Sequence, residues 1–121
     1  GVYSIDHKKL DDSSVPLGES SVEIRKRVEK AREVQKRRFV GSKILTNSEM
    51  GVRDIKKYCA LNKESLSTLQ QAAVKMDLSP RSYHRVIKLA RTIADLSGER
   101  DIQTSHIFEA LQYRPQHRQD L

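Results

Sequence analysis

An arginine at the start of a predicted helix is the residue of this sequence best placed to do chemistry. Ser79 is a good N-cap and Pro80 fits the first helical position, so Arg81 falls in the first turn. The helix dipole favours anions at this end, and a cation there breaks the usual rule. Free backbone N–H groups and a guanidinium together can bind a phosphate. An exposed arginine that extends into solvent accounts for the position equally well.

Further basic side chains extend the positive charge along two predicted helices. Arg85, Lys88 and Arg91 follow Arg81 at intervals of about one turn. Residues 19–40 carry eight basic and four acidic side chains. This pattern predicts either a solvated face with i,i+4 ion pairs, such as Arg25 with Glu29, or a surface for DNA or a neighbouring subunit. The candidate residues for that surface are Arg25, Arg32, Lys36, Arg85 and Lys88.

Several classes of site are excluded by the residues that the chain lacks. It contains neither a GxxxxGK[ST] phosphate loop nor a GxGxxG motif. Its four histidines are scattered without an HExxH motif, and we expect His84 and His106 at the surface or the edge of the core. The single cysteine, Cys59, excludes an internal disulfide and is expected to be a small core residue. We therefore predict no metal site and no catalytic residue in this chain on its own.

Composition indicates exposed helices around one core. The 121 residues carry a net charge of +7, with 32% charged, 36% hydrophobic and 5% aromatic residues. Only five glycines and three prolines are present, which disfavours a turn-rich β structure. No apolar run approaches the roughly 18 residues that would span a bilayer, and we expect no signal peptide. We expect a cytoplasmic location and no membrane contact.

Capping residues and apolar periodicity divide the chain into about five helical segments. The first begins with the capping box Ser20-x-x-Glu23, and the fourth ends before Gly98, a suitable C′ residue. The predicted segments are 20–39, 48–59, 63–76, 80–97 and 104–114, with caps at Ser20, Asn47 or Ser48, Asn62, Ser79 and Thr104. They predict an all-α helical bundle preceded by an extended or disordered N-terminal segment.

Helical spacing identifies the side chains that are expected to be buried. The residues predicted to form the core are Leu69, Ala73, Val86, Ile87, Ala90 and Leu111. One face of the first helix is lined by Ile24, Val28, Ala31 and Gln35. Apolar stripes are formed by Leu66, Leu69, Ala73 and Met76 in the third helix, and by Ile107, Phe108, Ala110 and Leu111 in the last. The fourth helix has the widest apolar face and is predicted to be central.

The third and fourth helices also suggest a DNA-binding alternative. Residues 66–90 have the spacing of a helix-turn-helix, with Arg81, Ser82 and Arg85 at the start of a recognition helix. The positive net charge agrees with this interpretation. Asp77 disagrees, because it stands where that motif prefers glycine. A free-standing DNA-binding module and a passive oligomerisation module therefore remain alternatives.

Ordered motifs across most of the chain resemble a known family. They comprise the opening Gly18-Glu19-Ser20-Ser21 with the first-helix residues through Phe39, then Asn47 and Met50, then the run 78–96, LSPRSYHRVIKLARTIADL, and finally Ile107 with the closing run 109–114, EALQYR. Together these resemble the C-terminal domain of magnesium-chelatase-like AAA+ ATPases, in the ComM-like or YifB-like branch. The resemblance spans roughly residues 18–114.

This resemblance implies a role that composition alone does not show. In the family the domain is a helical lid following an ATPase core, which supplies the Walker motifs, ATP and Mg²⁺. Arg81 takes the position of the sensor-2 arginine, which would reach the nucleotide phosphates. The partners implied are that core, neighbouring subunits of a hexameric ring, and DNA in the ComM-like branch; the related chelatase motor acts on porphyrin instead. We then expect 1–17 to be the junction with the core, 18–114 the lid, and 115–121 a flexible tail.

Overall fold

Five α-helices and one 3₁₀ turn make up the described part of the protein. The structure, a computed structural model, describes residues 20–113, so the expectations for 1–17 and for 115–121 lie outside the described residues. The helices are α1 (Ser21–Arg38), α2 (Val52–Tyr58), α3 (Lys63–Lys75), α4 (Pro80–Leu96) and α5 (Thr104–Gln112), and the 3₁₀ turn is Asn47–Glu49. The predicted all-α bundle is confirmed for this part of the chain. Within it, no helix is both long enough and apolar enough to cross a membrane.

Three of the predicted helix starts are capped as the sequence indicates. The Ser20 hydroxyl accepts the N–H of Glu23, the Asn62 side chain accepts the N–H of Ser65, and Ser79 begins α4 in the same way. Each cap satisfies a donor that the first helical turn leaves without an intrahelical partner. Past the other end of α4, Gly98 adopts φ +76°, a left-handed conformation that glycine takes without steric cost.

Helix α4 is the centre of the bundle. It packs against α5 most extensively, and also against α1, the 3₁₀ turn and α2, whereas α3 packs against α5. A parallel β-bridge joins Leu61 to Ile102, so that α3 and α5 begin side by side. The Ser65 and Thr104 hydroxyls then lie 3.3 Å apart in the first turns of these two helices.

The core agrees with the predicted set except at one position. Leu69, Val86, Ile87, Ala90 and Leu111 are buried, which confirms those predictions. Ala73 was expected to join them but is only half-buried. The buried apolar residues of the described chain are Ala31, Phe39, Met50, Ile55, Cys59, Leu69, Val86, Ile87, Ala90, Ile93, Ala94, Ile102, Ile107, Ala110 and Leu111.

The predicted apolar stripe of α3 is rotated by about one residue. Leu66 and Met76, both expected to face the core, are each 37% exposed, while Ser65 is fully buried. The contact of Ser65 with Thr104 explains this rotation, because it turns the Ser65–Leu69 face toward α5. Phe108 of α5 was also expected to be apolar core and is exposed instead, since it lies on the side of α5 opposite the buried Ala110.

Two helix boundaries differ from the sequence prediction. The second helix begins at Val52 rather than Ser48, because the 3₁₀ turn ends at Glu49 and Gly51 becomes the N-cap. The last helix has Gln103, not Thr104, at its N-cap position. There the N–H of Gln103 donates to Nδ1 of His106 at 2.8 Å. This bond accounts for the burial of His106, which was expected at the surface or the core edge.

Candidate functional site

Arg81 lies exposed at the start of the central helix. Among residues 20–113, no hydrogen bond or ion pair engages its guanidinium. The neighbouring donors are already used: Pro80 has no N–H, and the N–H of Ser82 donates to the Ser79 hydroxyl. Only the N–H of Arg81 itself is left free in this first turn, not the several that the sequence suggested. Anion binding here would therefore depend mainly on the guanidinium.

The polar face of α4 runs from solvent into the interior. Arg81 and Arg85 are exposed at its beginning, whereas Lys88 and Thr92 are half-buried. The Lys88 ammonium donates to the carbonyl of Ser48 at 3.1 Å and lies 3.5 Å from that of Met50. Lys88 thus closes the 3₁₀ turn as well as carrying charge.

A groove of about 440 Å³ follows this face of α4. Its apolar residues, Val86, Leu89 and Ala110, come from α4 and α5. The exposed Arg85 and Tyr113 also line it, together with several hydroxyl groups. The complete lining is Ser48, Ser82, Arg85, Val86, Lys88, Leu89, Thr92, Ala110 and Tyr113. An apolar hollow edged by two cations and several hydroxyls suits a ligand or a protein segment that is partly apolar and partly anionic.

The other three basic candidates lie on α1. Arg25, Arg32 and Lys36 are exposed on one side of this helix. Arg32 and Lys36 line a shallow hollow with Leu45 and Thr46, and this hollow shares no residue with the α4 groove. The structure therefore brings together Arg85 with Lys88, and Arg32 with Lys36, in two separate places.

Carboxylates interrupt the basic side of α1. Glu29 and Glu33 line the same hollow as Arg32 and Lys36, which reduces its net positive charge. The expected ion pair between Arg25 and Glu29 is not formed. The ion pairs formed between described residues include Arg38–Asp95 and Arg91–Asp95.

A buried polar network around Asp95 joins α1, the 3₁₀ turn and α4. The Asp95 carboxylate accepts two hydrogen bonds of 2.8 Å from the Arg38 guanidinium and one of 2.8 Å from the Asn47 amide. Asn47 also donates to Thr92, accepts from Arg38, and donates its backbone N–H to Gln35. Bidentate, charge-assisted bonds of this kind are strong and geometrically specific.

Arg91 belongs to this network and not to the basic surface. It was expected to continue the charge of Arg85 and Lys88, but it is buried, with its Nε 3.3 Å from the Asp95 carboxylate. Its terminal nitrogens donate to the carbonyls of Tyr58, Glu99 and Arg100. The reason is its direction: it leaves α4 on the side covered by α2 and by the loop after Gly98, where unpaired carbonyls require donors.

Sequence reasoning missed this network, although a signal was present. Arg91 and Asp95 are opposite charges four residues apart in the most apolar stretch of the chain. Such a pair inside a predicted buried helix indicates mutual neutralisation, since an isolated buried charge is costly. Asn47 was noted as a family landmark and a possible cap, and its structural role as a buried hub had no sequence signal.

Cys59 is a buried core residue, as predicted. Its sulfur lies 3.9 Å from that of Met50. Burial raises the pKa of the thiol from 9.0 to about 11, and the positive charges of Arg91 and Arg38 only partly oppose this. Thiolate chemistry is therefore suppressed at neutral pH.

In the described residues, no group of three or more His, Cys, Asp or Glu side chains could hold a metal ion.

The turn between α3 and α4 removes one objection to the helix-turn-helix alternative. Asp77 adopts φ +53°, the left-handed conformation for which the motif usually selects glycine. The packing of α4 still disfavours the alternative. Along most of its length α4 is enclosed by α1, α2, α5 and the 3₁₀ turn, and α3 packs on α5.

The fold and the site together define an all-α helical bundle, built around one central helix whose first turn carries an arginine without a partner among residues 20–113. A family model described as magnesium chelatase, subunit ChlI C-terminal, matches residues 18–114, and the chain belongs to this family. The resemblance noted in the sequence is thereby confirmed, together with a lid-like place for the domain.

Three relatives illustrate this membership. The chain is 43% identical over 97 residues to competence protein ComM of Haemophilus influenzae, covering 80% of this chain and 18% of that protein. It is 41% identical over 97 residues to the uncharacterised protein YifB of Salmonella typhimurium, with the same coverage. It is 36% identical over 105 residues to YifB of Escherichia coli, covering 87% of this chain and 20% of that one. The chain thus spans about one fifth of the length of the relatives it matches.

Proposed function

We propose that this domain is the lid of an AAA+ ATPase motor and does not hydrolyse ATP by itself. The family membership of residues 18–114 carries the proposal, because the matched family is a C-terminal domain of a magnesium chelatase subunit. An ATPase core in the same polypeptide supplies the phosphate loop and holds ATP and Mg²⁺. Neighbouring subunits of a hexameric ring complete the assembly, and the protein works in the cytoplasm.

Arg81 acts in this motor as the sensor-2 residue. Its guanidinium is exposed, has no partner among residues 20–113, and stands at the positive end of the central helix. Helix α4 is held by buried contacts along the rest of its length, so its first turn is a rigid mount for a charged side chain. A guanidinium mounted in this way can bind phosphate oxygens contributed by a facing core. ATP-dependent closure of the core on the lid then follows from that contact.

The test compares two arginines with matching helix positions. Arg81 and Arg53 are both exposed second residues of their helices, α4 and α2. Arg81→Ala and Arg53→Ala are introduced into the longer polypeptide that joins this domain to its ATPase core, and ATP turnover is measured. We expect Arg81→Ala to lower turnover by about tenfold or more, less than the roughly 10³-fold or greater effect of an arginine finger. Arg53→Ala should leave turnover unchanged.

Stability measurements on the 121-residue chain complete this test. Arg81→Ala should change the free energy of unfolding by no more than about 0.5 kcal/mol, as for an ordinary surface residue. Removing a cation from the positive end of a helix can even stabilise slightly. Unfolding of the Arg81→Ala variant would make Arg81 structural. Unchanged turnover together with unchanged stability would refute the sensor-2 assignment.

DNA binding by a helix-turn-helix is the second candidate function. The left-handed Asp77 and the exposed Arg81 and Arg85 favour it. In that case the 121-residue chain alone should shift a DNA duplex sequence-selectively, and Arg85→Ala should weaken the binding. A phosphate loop encoded upstream of Gly1, together with no shift by the isolated chain, would refute this candidate and support the lid.

A further inference from the structure

The groove along α4 is lined by positive charge without any negative charge. Its lining includes Arg85 and Lys88 but no aspartate or glutamate, whereas the hollow on α1 mixes five basic side chains with Glu29 and Glu33. The Asp95 carboxylate, which lies behind the groove, is already neutralised by two guanidinium groups. The α4 groove therefore favours an anionic group over a cationic one, and does so more strongly than the α1 hollow.

An apolar floor lies between these charges. Val86 and Leu89 of α4 and Ala110 of α5 form it, and Val86 and Ala110 are themselves buried. Leu89 is only half-buried and Tyr113 is 65% exposed, so both leave apolar surface accessible from solvent. An occupant gains by covering this surface, which requires apolar side chains beside its negative charge.

The polar groups that remain available in the groove are few. The hydroxyls of Ser48, Ser82 and Thr92 already bond within the domain. The Lys88 ammonium directs two of its three donors toward backbone carbonyls, and the Arg85 guanidinium has no partner among residues 20–113. Backbone N–H groups in the middle of α4 are used within the helix, so they cannot add a phosphate cradle. The free donors match one or two carboxylates and do not match a polyphosphate.

The shape of the groove suits a helix. Its lining runs along α4 from Ser82 to Thr92, which is about 15 Å at 1.5 Å per residue, and α5 forms the other wall through Ala110 and Tyr113. A helix of about ten residues has the same length. Because a helix satisfies its own backbone groups, it can lie on an apolar floor without leaving N–H and C=O groups unpaired.

We propose that this groove binds an acidic amphipathic helix of a partner protein. Apolar side chains of that helix at i, i+3 and i+7 cover Val86, Leu89 and Ala110, in the way that amphipathic helices occupy grooves elsewhere. Carboxylates in the row beside them bind the guanidinium of Arg85 and the remaining donor of Lys88. This inference does not depend on the ATPase assignment.

Three synthetic peptides test the proposal with the 121-residue chain. Each has about 14 residues, with leucines at i, i+3 and i+7 and alanine elsewhere, and the row beside the leucines holds glutamate, glutamine or lysine. Fluorescence anisotropy of the labelled peptides measures their affinity. The glutamate peptide should bind about tenfold more tightly than the glutamine peptide, and the lysine peptide should bind most weakly. Added salt should weaken the glutamate peptide and leave the glutamine peptide nearly unchanged.

A charge reversal assigns the effect to the groove. Arg85→Glu should lower the affinity for the glutamate peptide about tenfold or more and raise the affinity for the lysine peptide. Arg32→Glu is the matched control, because Arg32 is also an exposed arginine beside a hollow and its replacement changes the net charge by the same amount. The control should change either affinity by no more than about twofold. Thermal unfolding of both variants verifies that the domain remains folded.

Amide shifts in two-dimensional NMR locate the peptide. Residues 82–92 and 110–113 should shift on addition of the glutamate peptide, whereas residues 26–36 of α1 should not. Absence of binding, equal affinity for the glutamate and glutamine peptides, or equal effects of Arg85→Glu and Arg32→Glu would each overturn the proposal. Self-association in sedimentation that Arg85→Glu abolishes would assign the groove to a second copy of the chain instead.

Discussion

Replacing Asp95 by asparagine removes one buried negative charge and leaves the shape of the side chain nearly unchanged. The native carboxylate receives two bonds from Arg38 and one from Asn47, each 2.8 Å long, and it faces Arg91 at 3.3 Å. An amide NH₂ in this place must face at least one of these donors without being able to accept its hydrogen bond. The two guanidinium groups would then share a buried site without a counter-charge, since their side chains are only 11% and 6% exposed.

The expected loss is about 3–5 kcal/mol, the usual cost of removing one partner from a buried ion pair. For a domain of this size each kcal/mol lowers the melting temperature by about 4–8 °C, so the expected shift is roughly 12–40 °C. Denaturant unfolding followed by circular dichroism measures the loss of free energy, and thermal unfolding measures the shift in melting temperature. Asp101→Asn is the control, because Asp101 is exposed and its side chain forms no hydrogen bond or ion pair with Arg38 or Arg91.

A double-mutant cycle separates the pair from the general cost of each substitution. Arg38→Gln and Asp95→Asn together should cost less than the sum of the two single changes, by about 0.5–3 kcal/mol. If Asp95→Asn destabilised no more than Asp101→Asn, the buried network would not contribute to stability and the reasoning would be refuted.

Three other predictions concern the core, the thiol and the basic surfaces. Val86→Ala or Ile87→Ala should each cost about 1–4 kcal/mol, and an unchanged melting temperature for both would contradict their burial. Cys59 should react with a thiol reagent at pH 8 only after unfolding. Because burial raises its pKa from 9.0 to about 11, stability should fall between pH 9 and 11 more steeply in the wild type than in Cys59→Ala. If DNA contacts this domain, labelled duplex should bind through its phosphates, and the affinity should fall steeply with added salt and fall further in Arg32→Glu. No binding at high micromolar protein and low salt would exclude this use of the surface.

The helices and most of the core were predictable because local signals agree with one another. Ser79, Pro80 and Gly98 mark both ends of α4, and the spacing of Val86, Ile87 and Ala90 identifies its buried side. Capping and periodicity act within a few residues along the chain, so they can be read without tertiary information.

The errors arise where distant contacts decide the outcome. The rotation of α3 follows from the contact of Ser65 with Thr104, 39 residues away, which periodicity cannot anticipate. The burial of Arg91 depends on carbonyls supplied by two other segments. For the candidate site, the exposure of Arg81 was predictable from its position opposite the apolar side of α4, whereas the engagement of Lys88 by the Ser48 carbonyl was not.

The separation between Arg38 and Asp95 has a consequence for biosynthesis. Arg38 precedes its counter-charge by 57 residues, so at about 5–20 residues per second a ribosome makes α1 roughly 3–11 s before Asp95 exists. During that interval α1 cannot dock, and its many charged side chains keep it hydrated rather than prone to aggregation. Helices α4 and α5 are close in sequence and can pair as soon as both have emerged, with α1 joining last. Synonymous codon changes that slow translation between α1 and α4 should therefore prolong the time for which α1 is exposed to proteases, more than they do for any later helix.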